Sequence, residues 1–331
     1  MSGVLFTCAG QRVDIVRAFG RAGAVTVAAD VNPLAPTLQY ADRRLLPPPV
    51  EAAEYVPSLA RAVAEHDIEL VLPLADLDMT LLAERRDELG ALLLLPEADV
   101  VERTNDKYLA HLFLEANGIG SPAAWLPEEL PPELPFPVLV KPRWGFGSRN
   151  ISVARDRLEL DFFLPRAPVP SFVQKFCPGE EFSVDVFCDL DGRCLNAIPR
   201  TMIESKGGES IKGMTIRDPE LIELGRRVAE TVGVKGPANI QCFRTAPGRH
   251  EVTDINLRFG GAFPLPLAAG GGYPALALEL ARGERPDPRV GSFREGVVMT
   301  RFFSEACLAS GADGLLGPLA EKTKEPIPSD D

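Results

Sequence analysis

The chain has 331 residues, with 35 Lys or Arg against 47 Asp or Glu, so its formal net charge is −12. This acidity excludes a general nucleic-acid binder, which needs surplus cations to neutralise phosphates. Hydrophobic residues make up 45% of the chain and charged residues 25%, a composition typical of a folded globular protein rather than an extended disordered one.

The chain lacks the sequence features of membrane and secreted proteins. No apolar stretch reaches the roughly 20 residues that cross a bilayer, and residues 1–6 lack the basic start and long apolar segment of a secretory signal. We therefore expect a cytoplasmic protein without membrane contact. The six cysteines form no C-x-x-C pair, so we expect reduced, buried thiols rather than disulfides or a zinc site.

The first part of the chain alternates short apolar runs with longer amphipathic segments, which is typical of a parallel sheet with crossover helices. Gly10 follows the first run and Asp30 closes the second, as in dinucleotide-binding folds. A single glycine falls short of G-x-G-x-x-G, however, and favours an ordinary tight turn. Strands are predicted over 4–8, 25–30, 70–74 and 92–95, and helices over 11–23, 58–66 and 77–89.

Strands dominate the pattern after a helix over 106–117 and a proline-rich segment over 127–137. Further on, the apolar helical pattern over 265–282 is interrupted by three consecutive glycines. Strands are predicted over 137–141, 151–154, 172–176, 182–188, 195–200, 239–244 and 251–256, and a helix over 219–232. We expect one domain over 1–100, a second over 101–305 with lobes at 101–173 and 174–305, and a partly disordered tail over 306–331.

A flexible cationic turn follows the strand predicted over 137–141. Lys141 stands at the strand end, and Gly145, Gly147 and Ser148 follow it. Glycines let backbone N–H groups approach phosphate oxygens closely, and a lysine supplies a point charge. This combination predicts a phosphate-binding loop; a plain hairpin loop with surface cations is the alternative.

Polar residues alternate along the late strand over 251–256 and continue beyond it. Because side chains alternate with period two, Asp254, Asn256 and Arg258 share one face, and Gln241 on the preceding strand can lie opposite them. A carboxylate with two amide oxygens suits Mg²⁺, which takes few protein ligands and keeps sites for water and phosphate. A solvated sheet face is the alternative interpretation.

A carboxylate also begins the strand over 182–188. Glu181 is placed to accept both hydroxyls of a ribose, although an exposed charged edge explains it equally well. The three histidines are far apart in sequence and lack ligand spacing, which argues against zinc or a Ser/His/Asp site.

Taken in chain order, these motifs resemble the ATP-grasp superfamily, and most of all its carbamoyl-phosphate-synthase large-chain-like branch. The resemblance implies an N-terminal Rossmann-like parallel sheet of α/β type, the pre-ATP-grasp domain, followed by a two-lobed α+β ATP-grasp fold. It rests on Asn105-Asp106-Lys107, on Lys141 with its glycine loop, on Gln174-Lys175-Phe176 with Glu181, on Asn239-Ile240-Gln241, and on Asp254 to Gly261.

The resemblance also implies a role for each matching residue in binding ATP and Mg²⁺. Lys107 and Lys141 would hold the phosphates under the loop of Gly145, Gly147 and Ser148. Gln174, Lys175 and Phe176 would line the adenine, Glu181 would bind the ribose, Gln241, Asp254 and Asn256 would bind Mg²⁺, and Arg258 would meet the transferred phosphoryl group.

The implied chemistry is ATP-dependent activation of a small carboxylic acid as an acyl phosphate, followed by attack of an amine. The segment 200–212 is charged and contains glycine, so we expect a loop over the substrate in which Arg200 and Lys206 bind a carboxylate; an ordinary mobile loop is the alternative. Family members usually carry glutamate where Asp254 stands, which keeps open a catalytically silent ATP-binding regulatory or scaffold protein. A dinucleotide-linked oxidoreductase ranks third, and the oligomeric state stays open, with a homodimer as one arrangement.

Overall fold

The computed structural model describes residues 2–145, 149–206, 209–310 and 316–318. The first domain is built on a five-stranded sheet, ordered β3-β2-β1-β4-β5, in which every strand pairing is parallel. Its strands are β1 (Gly3–Thr7), β2 (Val25–Ala29), β3 (Arg43–Leu45), β4 (Ile68–Pro73) and β5 (Leu92–Leu93). Its helices are α1 (Val13–Arg21), α2 (Thr37–Tyr40), α3 (Tyr55–Glu65) and α4 (Met79–Glu84).

Two consecutive helices, α5 (Ala98–Asn105) and α6 (Lys107–Ala116), connect this sheet to the rest of the chain. Asp106 separates them and caps α6, because its side chain accepts hydrogen bonds from the backbone N–H groups of Tyr108 and Leu109. The Arg143 guanidinium also donates to Asp106, at 2.9 Å from Nε. These bonds fix the position of Lys107 at the start of α6.

A small antiparallel sheet with strand order β6-β9-β7-β8 follows. A compact apolar core beneath it includes Val138, Val140, Leu160 and Val173. The strands are β6 (Ala124–Trp125), β7 (Val138–Pro142), β8 (Ser152–Ala154) and β9 (Ser171–Lys175), and the helix α7 (Arg157–Phe163) lies between the last two.

A larger antiparallel sheet, ordered β11-β10-β14-β15, carries the late polar strands. The helix α8 (Pro219–Val232) packs on its apolar face, where an added Cβ at Gly225 would lie 2.5 Å from a Val184 methyl group. Glycine therefore permits the close approach of helix and sheet. The strands are β10 (Glu180–Cys188), β11 (Cys194–Thr201), β14 (Gly236–Ala246) and β15 (Arg249–Asn256).

The remaining helices and strands are short. Two short helices, α9 (Pro264–Ala268) and α10 (Tyr273–Ala281), are separated at Gly270 and Gly272, which both adopt positive φ. The remaining strands are β12 (Glu204–Lys206), β13 (Glu209–Met214), β16 (Val298–Thr300), β17 (Leu308–Ser310) and β18 (Leu316–Pro318).

The structure confirms the parallel sheet followed by antiparallel sheets and corrects one local prediction. The segment 200–212 is not a plain loop, because β12 pairs with β13 and β13 pairs with β16. The pairing with β16 joins residues far apart in sequence, so local sequence does not reveal it. In the tail, β17 pairs with β18.

Two sequence expectations concern the whole chain. All six cysteines are free thiols, and four of them are buried. Within the residues that the structure describes, no helix is long and apolar enough to span a membrane.

Candidate active site

A cleft of about 340 Å³ separates the small antiparallel sheet from the larger one. Strands β7 and β9 supply one wall, and β10, β14 and β15 supply the other. Among the residues predicted from the sequence, those that line the cleft are Lys107, Lys141, Gly145, Gln174, Lys175, Phe176, Glu181, Gln241 and Asp254. The structure therefore brings together residues from five separate sequence motifs.

Two ammonium groups and one carboxylate meet at one end of the cleft. Lys107 Nζ lies 3.6 Å from Asp254 Oδ1 and donates a hydrogen bond to the Gly145 carbonyl oxygen at 2.7 Å. Lys141 is 7% exposed, and its Nζ donates to the Thr253 carbonyl oxygen at 2.9 Å. This end of the cleft can attract phosphate oxygens through two cations while Asp254 offers an anionic ligand to a metal ion.

The charges at this end shift each other's pKa values. Burial raises the pKa of Asp254, but the ammonium groups of Lys107 and Lys141 outweigh burial, so the pKa lies below its usual value. Burial lowers the pKa of Lys141 below its usual value, although the Asp254 carboxylate opposes this change. Asp254 is consequently ionised at neutral pH.

Affinity for Mg·ATP is expected to weaken as the pH rises through the lowered pKa of Lys141, because only the ammonium form attracts phosphate. The loss should begin below the ordinary lysine value of 10.5. Calorimetric titration with Mg·ATP over an alkaline pH series measures the change in affinity. In Lys141→Arg the guanidinium stays charged, so the profile should flatten; identical profiles for the two proteins would contradict the assignment.

Strands β14 and β15 pair in the register that the sequence predicts. Gln241 on β14 lies directly opposite Asp254 on β15, and Asn239 lies opposite Asn256. All four are on the face that carries Glu181 and Ser183 of β10, whereas Ile240 and Ile255 face the core.

These residues fit a magnesium ion bound mainly through nucleotide phosphates. No cluster of three or more His, Cys, Asp and Glu side chains able to hold a metal occurs among the described residues. Asp254 and the neighbouring amides form an oxygen-only donor set with a single carboxylate, which suits Mg²⁺ ions that keep water and phosphate ligands. Asn256 Oδ1 already accepts a hydrogen bond from Arg258 Nη2 at 3.2 Å.

The side-chain contacts of Arg258 differ from the phosphoryl contact that the sequence resemblance implies. Its Nε donates to Asp76 Oδ1 at 3.0 Å, and neither Arg258 nor Asn256 is among the residues that line the cleft. Asp76 follows β4 in the first domain, at the carboxyl edge of the parallel sheet. The Arg258 guanidinium is thus held by Asp76 and Asn256 in this structure.

Arg200 is likewise buried rather than presented by a loop. It is 3% exposed, belongs to β11, and its Nε donates to Asp185 Oδ2 at 2.9 Å. The side chain of Lys206 lies outside the described part of the structure, as do Gly147 and Ser148. Their predicted roles therefore stay predictions.

Apolar side chains also line the cleft. Leu139, Ile151, Val169 and Phe243 join Phe176 in its lining, which suits the faces of a nucleobase. The backbone N–H groups of Lys175 and Phe176 already donate to Ala123 and Pro137. Glu181 lies on β10 of the larger sheet, and burial raises the pKa of its carboxyl group.

Sequence reasoning missed two residues that connect the first domain to this site. Asp76 pairs with Arg258, and Arg12 donates to the carbonyl oxygens of Phe259 and Gly260 at 3.1 and 3.0 Å. The position of Asp76 after a parallel strand is a usable signal, because ligand-site residues gather at that edge of such sheets.

Gly260→Ala is expected to lower the free energy of unfolding by about 1–3 kcal/mol, because overpacking displaces buried groups. An added Cβ would lie 2.6 Å from Asp185 Oδ1 and 3.0 Å from the Asn239 amide. Gly261→Ala is the matched control, since its Cβ meets no atom within 4 Å. Urea denaturation measures both, and equal stabilities would contradict the packing argument.

Two family models match the chain. Residues 168–302 match the family described as "ATP-grasp in the biosynthetic pathway with Ter operon", and residues 4–93 match the "PylC-like, N-terminal domain". The carbamoyl phosphate synthase large chain of Clostridium beijerinckii is 27% identical over 200 residues, which cover 55% of this chain and 18% of that protein. The chain thus spans less than a quarter of that curated relative.

Solved structures show the same fold. The biotin carboxylase of Campylobacter jejuni, solved as a β,γ-ATP complex, superposes with a TM-score of 0.73 at 14% identity over 90% of this chain and 74% of that one. The L-amino acid ligase of Bacillus licheniformis superposes with a TM-score of 0.69 at 17% identity, over 89% and 78% of the two chains.

Proposed function

Because the chain joins a PylC-like N-terminal domain to an ATP-grasp domain, we propose that it is an ATP- and Mg²⁺-dependent ligase that couples a small carboxylic acid to an amine. The observation that carries this proposal is the convergence of Lys107, Lys141 and Asp254 in a cleft whose lining also includes apolar side chains. The domain limits 1–100, 101–305 and 306–331 form part of the same proposal.

Different side chains of the cleft contact different parts of the nucleotide. Lys107 and Lys141 bind the phosphates, the apolar lining residues contact the adenine, and Glu181 accepts hydrogen bonds from the ribose hydroxyls. Asp254, Gln241 and Asn256 would hold Mg²⁺, which supplies further neutralisation of phosphate charge. Phosphoryl transfer needs mainly positioning and charge stabilisation, and the paired ammonium groups provide both.

The proposed reaction has two steps. A carboxylate oxygen of the acid attacks the γ-phosphorus of ATP, the bond to the β,γ-bridging oxygen breaks, and ADP leaves an acyl phosphate. An amine then attacks the acyl carbon, phosphate departs, and the amine loses one proton to form the amide. No side-chain nucleophile is needed: the Cys177 thiol in the cleft wall donates to Glu251, and burial raises its pKa to about 12.

A phosphate-release screen with Mg·ATP over pairs of small carboxylic acids and amines tests this function. We expect release that requires both an acid and an amine. The absence of release with every pair, together with unimpaired ATP binding, would reject the ligase assignment.

That outcome would favour a catalytically silent ATP-binding regulatory or scaffold protein. Two observations favour this alternative. Asp254 is a shorter carboxylate than the usual glutamate, and no cluster of three or more His, Cys, Asp and Glu side chains that could hold a metal occurs among the residues that the structure describes. ATP binding without turnover distinguishes it from the ligase.

A further inference from the structure

Two buried polar side chains lie opposite each other on β10 and β11, and each has one atom that lacks a hydrogen-bond partner among the described residues. Ser183 and Arg200 are directly opposite in register, and they are 0% and 3% exposed. Ser183 Oγ and Arg200 Nη1 have no hydrogen-bond partner within the described ranges. Because buried polar groups are nearly always paired, these two atoms are candidate donors to an oxygen-bearing ligand between or beside them.

The guanidinium of Arg200 is held rigidly in place. Its Nε donates to Asp185 Oδ2 at 2.9 Å, and Asp185 Oδ1 accepts from Asn239 Nδ2 at 2.9 Å. The Tyr273 hydroxyl donates to the Asp185 backbone oxygen at 2.7 Å. One edge of the guanidinium is thus fixed, and Nη1 is preorganised to donate to a further oxygen.

Ser183 and Arg200 are not among the lining residues of the proposed ATP cleft, but Ser183 neighbours two of them on the same sheet. Ser183 follows the lining residue Glu181 by two positions on the same face of β10, and it lies directly opposite the lining residue Gln241. Gln241 lies opposite Asp254. Two strand spacings of about 4.8 Å therefore place the backbone of Ser183 about 10 Å across the sheet from that of Asp254.

We propose that Ser183 and Arg200 bind a second carboxylate of the acid substrate, so that the substrate is a dicarboxylic acid or an acidic amino acid. This inference rests on the proposed ligase function. One carboxylate reacts near Lys107 and Asp254, while the other accepts hydrogen bonds from Arg200 Nη1 and Ser183 Oγ. A guanidinium edge beside a hydroxyl matches the geometry of a carboxylate.

Paired acids that differ by one carboxylate test the proposal. Glutarate is compared with butyrate, and L-glutamate with 4-aminobutyrate, in phosphate release with Mg·ATP and hydroxylamine as the amine. We expect the diacid of at least one pair to have a kcat/KM about ten-fold or more above its partner, because a site built to donate hydrogen bonds rejects an analogue that cannot accept them. Equal values within both pairs would overturn the proposal.

Variants assign this preference to the two residues. Ser183→Ala and Arg200→Lys should bring the ratio within each pair towards one, with the KM for ATP unchanged. Ser183→Ala removes a hydroxyl that has no partner in the free protein, so its Tm should not fall. Ser58→Ala is the control, because Ser58 Oγ bonds only within the first domain, to the Tyr55 carbonyl oxygen at 2.6 Å. A ratio that survives in Ser183→Ala and Arg200→Lys would place the second carboxylate elsewhere.

A separate experiment distinguishes failure of the proposed ligase function from failure of the carboxylate subsite. If no acid supports phosphate release, calorimetry of glutarate and butyrate with the protein, Mg²⁺ and β,γ-imido-ATP tests the subsite alone. Glutarate binding that is lost in Ser183→Ala supports the subsite. Equal binding of both acids, or a crystal structure with one water bridging Ser183 Oγ and Arg200 Nη1 beside bound nucleotide and glutarate, overturns it.

Discussion

Replacing Asp254 by Asn is expected to reduce Mg·ATP-dependent phosphate release by about 10²–10³-fold, because it removes the carboxylate that we propose to hold the metal ion beside Lys107 and Lys141. The isosteric amide keeps the shape of the side chain opposite Gln241 but withdraws the charge that balances Lys107 at 3.6 Å. Steady-state kinetics with a substrate pair from the phosphate-release screen measure the effect.

The protein should remain folded in this variant. Losing the charge at Asp254 is expected to cost about 1–3 kcal/mol of the roughly 5–15 kcal/mol that stabilises a domain. Asp161→Asn is the control, since its exposed ion pair with Arg157 lies in α7, outside the cleft. Full turnover by Asp254→Asn would show that the metal assignment is wrong.

Lys141→Met is expected to weaken ATP binding by about 10-fold to 10²-fold, since a charge-assisted bond to phosphate is worth about 1.5–3 kcal/mol.

The same substitution should change the free energy of unfolding only slightly. Burial lowers the pKa of Lys141, so below that pKa the protonated side chain costs folding free energy that an apolar methionine does not. The loss of its hydrogen bond to Thr253 opposes this gain, so the free energy of unfolding should fall by no more than about 1 kcal/mol.

Calorimetric titration with Mg·ATP and urea denaturation give the two readouts for Lys141→Met. Lys212→Met is the matched control, because this exposed lysine pairs with Glu204 outside the cleft lining and its loss should leave ATP affinity unchanged. Loss of stability together with unaltered ATP affinity in Lys141→Met would reverse both expectations and remove Lys141 from the nucleotide site.

The arrangement of Gln241 and Asp254 was predictable because it depends on local rules. Two strands joined by the tight turn at Pro247-Gly248 must pair antiparallel, and period-two alternation then places polar residues on a shared face. The structure has both features, with Ile240 and Ile255 on the opposite, buried face. Leu257 is likewise buried, as its position in the alternation predicts.

The surroundings of Arg258 and Arg200 were not predictable in the same way. The partner of Arg258 is Asp76, 182 residues earlier, and only the packing of the parallel-sheet part of the chain against the antiparallel sheets brings them together. Arg200 was expected in a loop, but pairing of β13 with the distant β16 orders the segment that follows it. Neither partner leaves a periodic signal in the sequence, because each contact depends on tertiary structure.

The central claim is that the cleft between the two antiparallel sheets binds Mg·ATP with its phosphates at Lys107 and Lys141. A crystal structure of the protein grown with Mg²⁺ and β,γ-imido-ATP tests it most directly. We predict phosphate oxygens within hydrogen-bond distance of both Nζ atoms, the metal ion against Asp254 and the adenine beside Phe176. Nucleotide bound elsewhere, or an empty cleft at saturating nucleotide, would contradict the account.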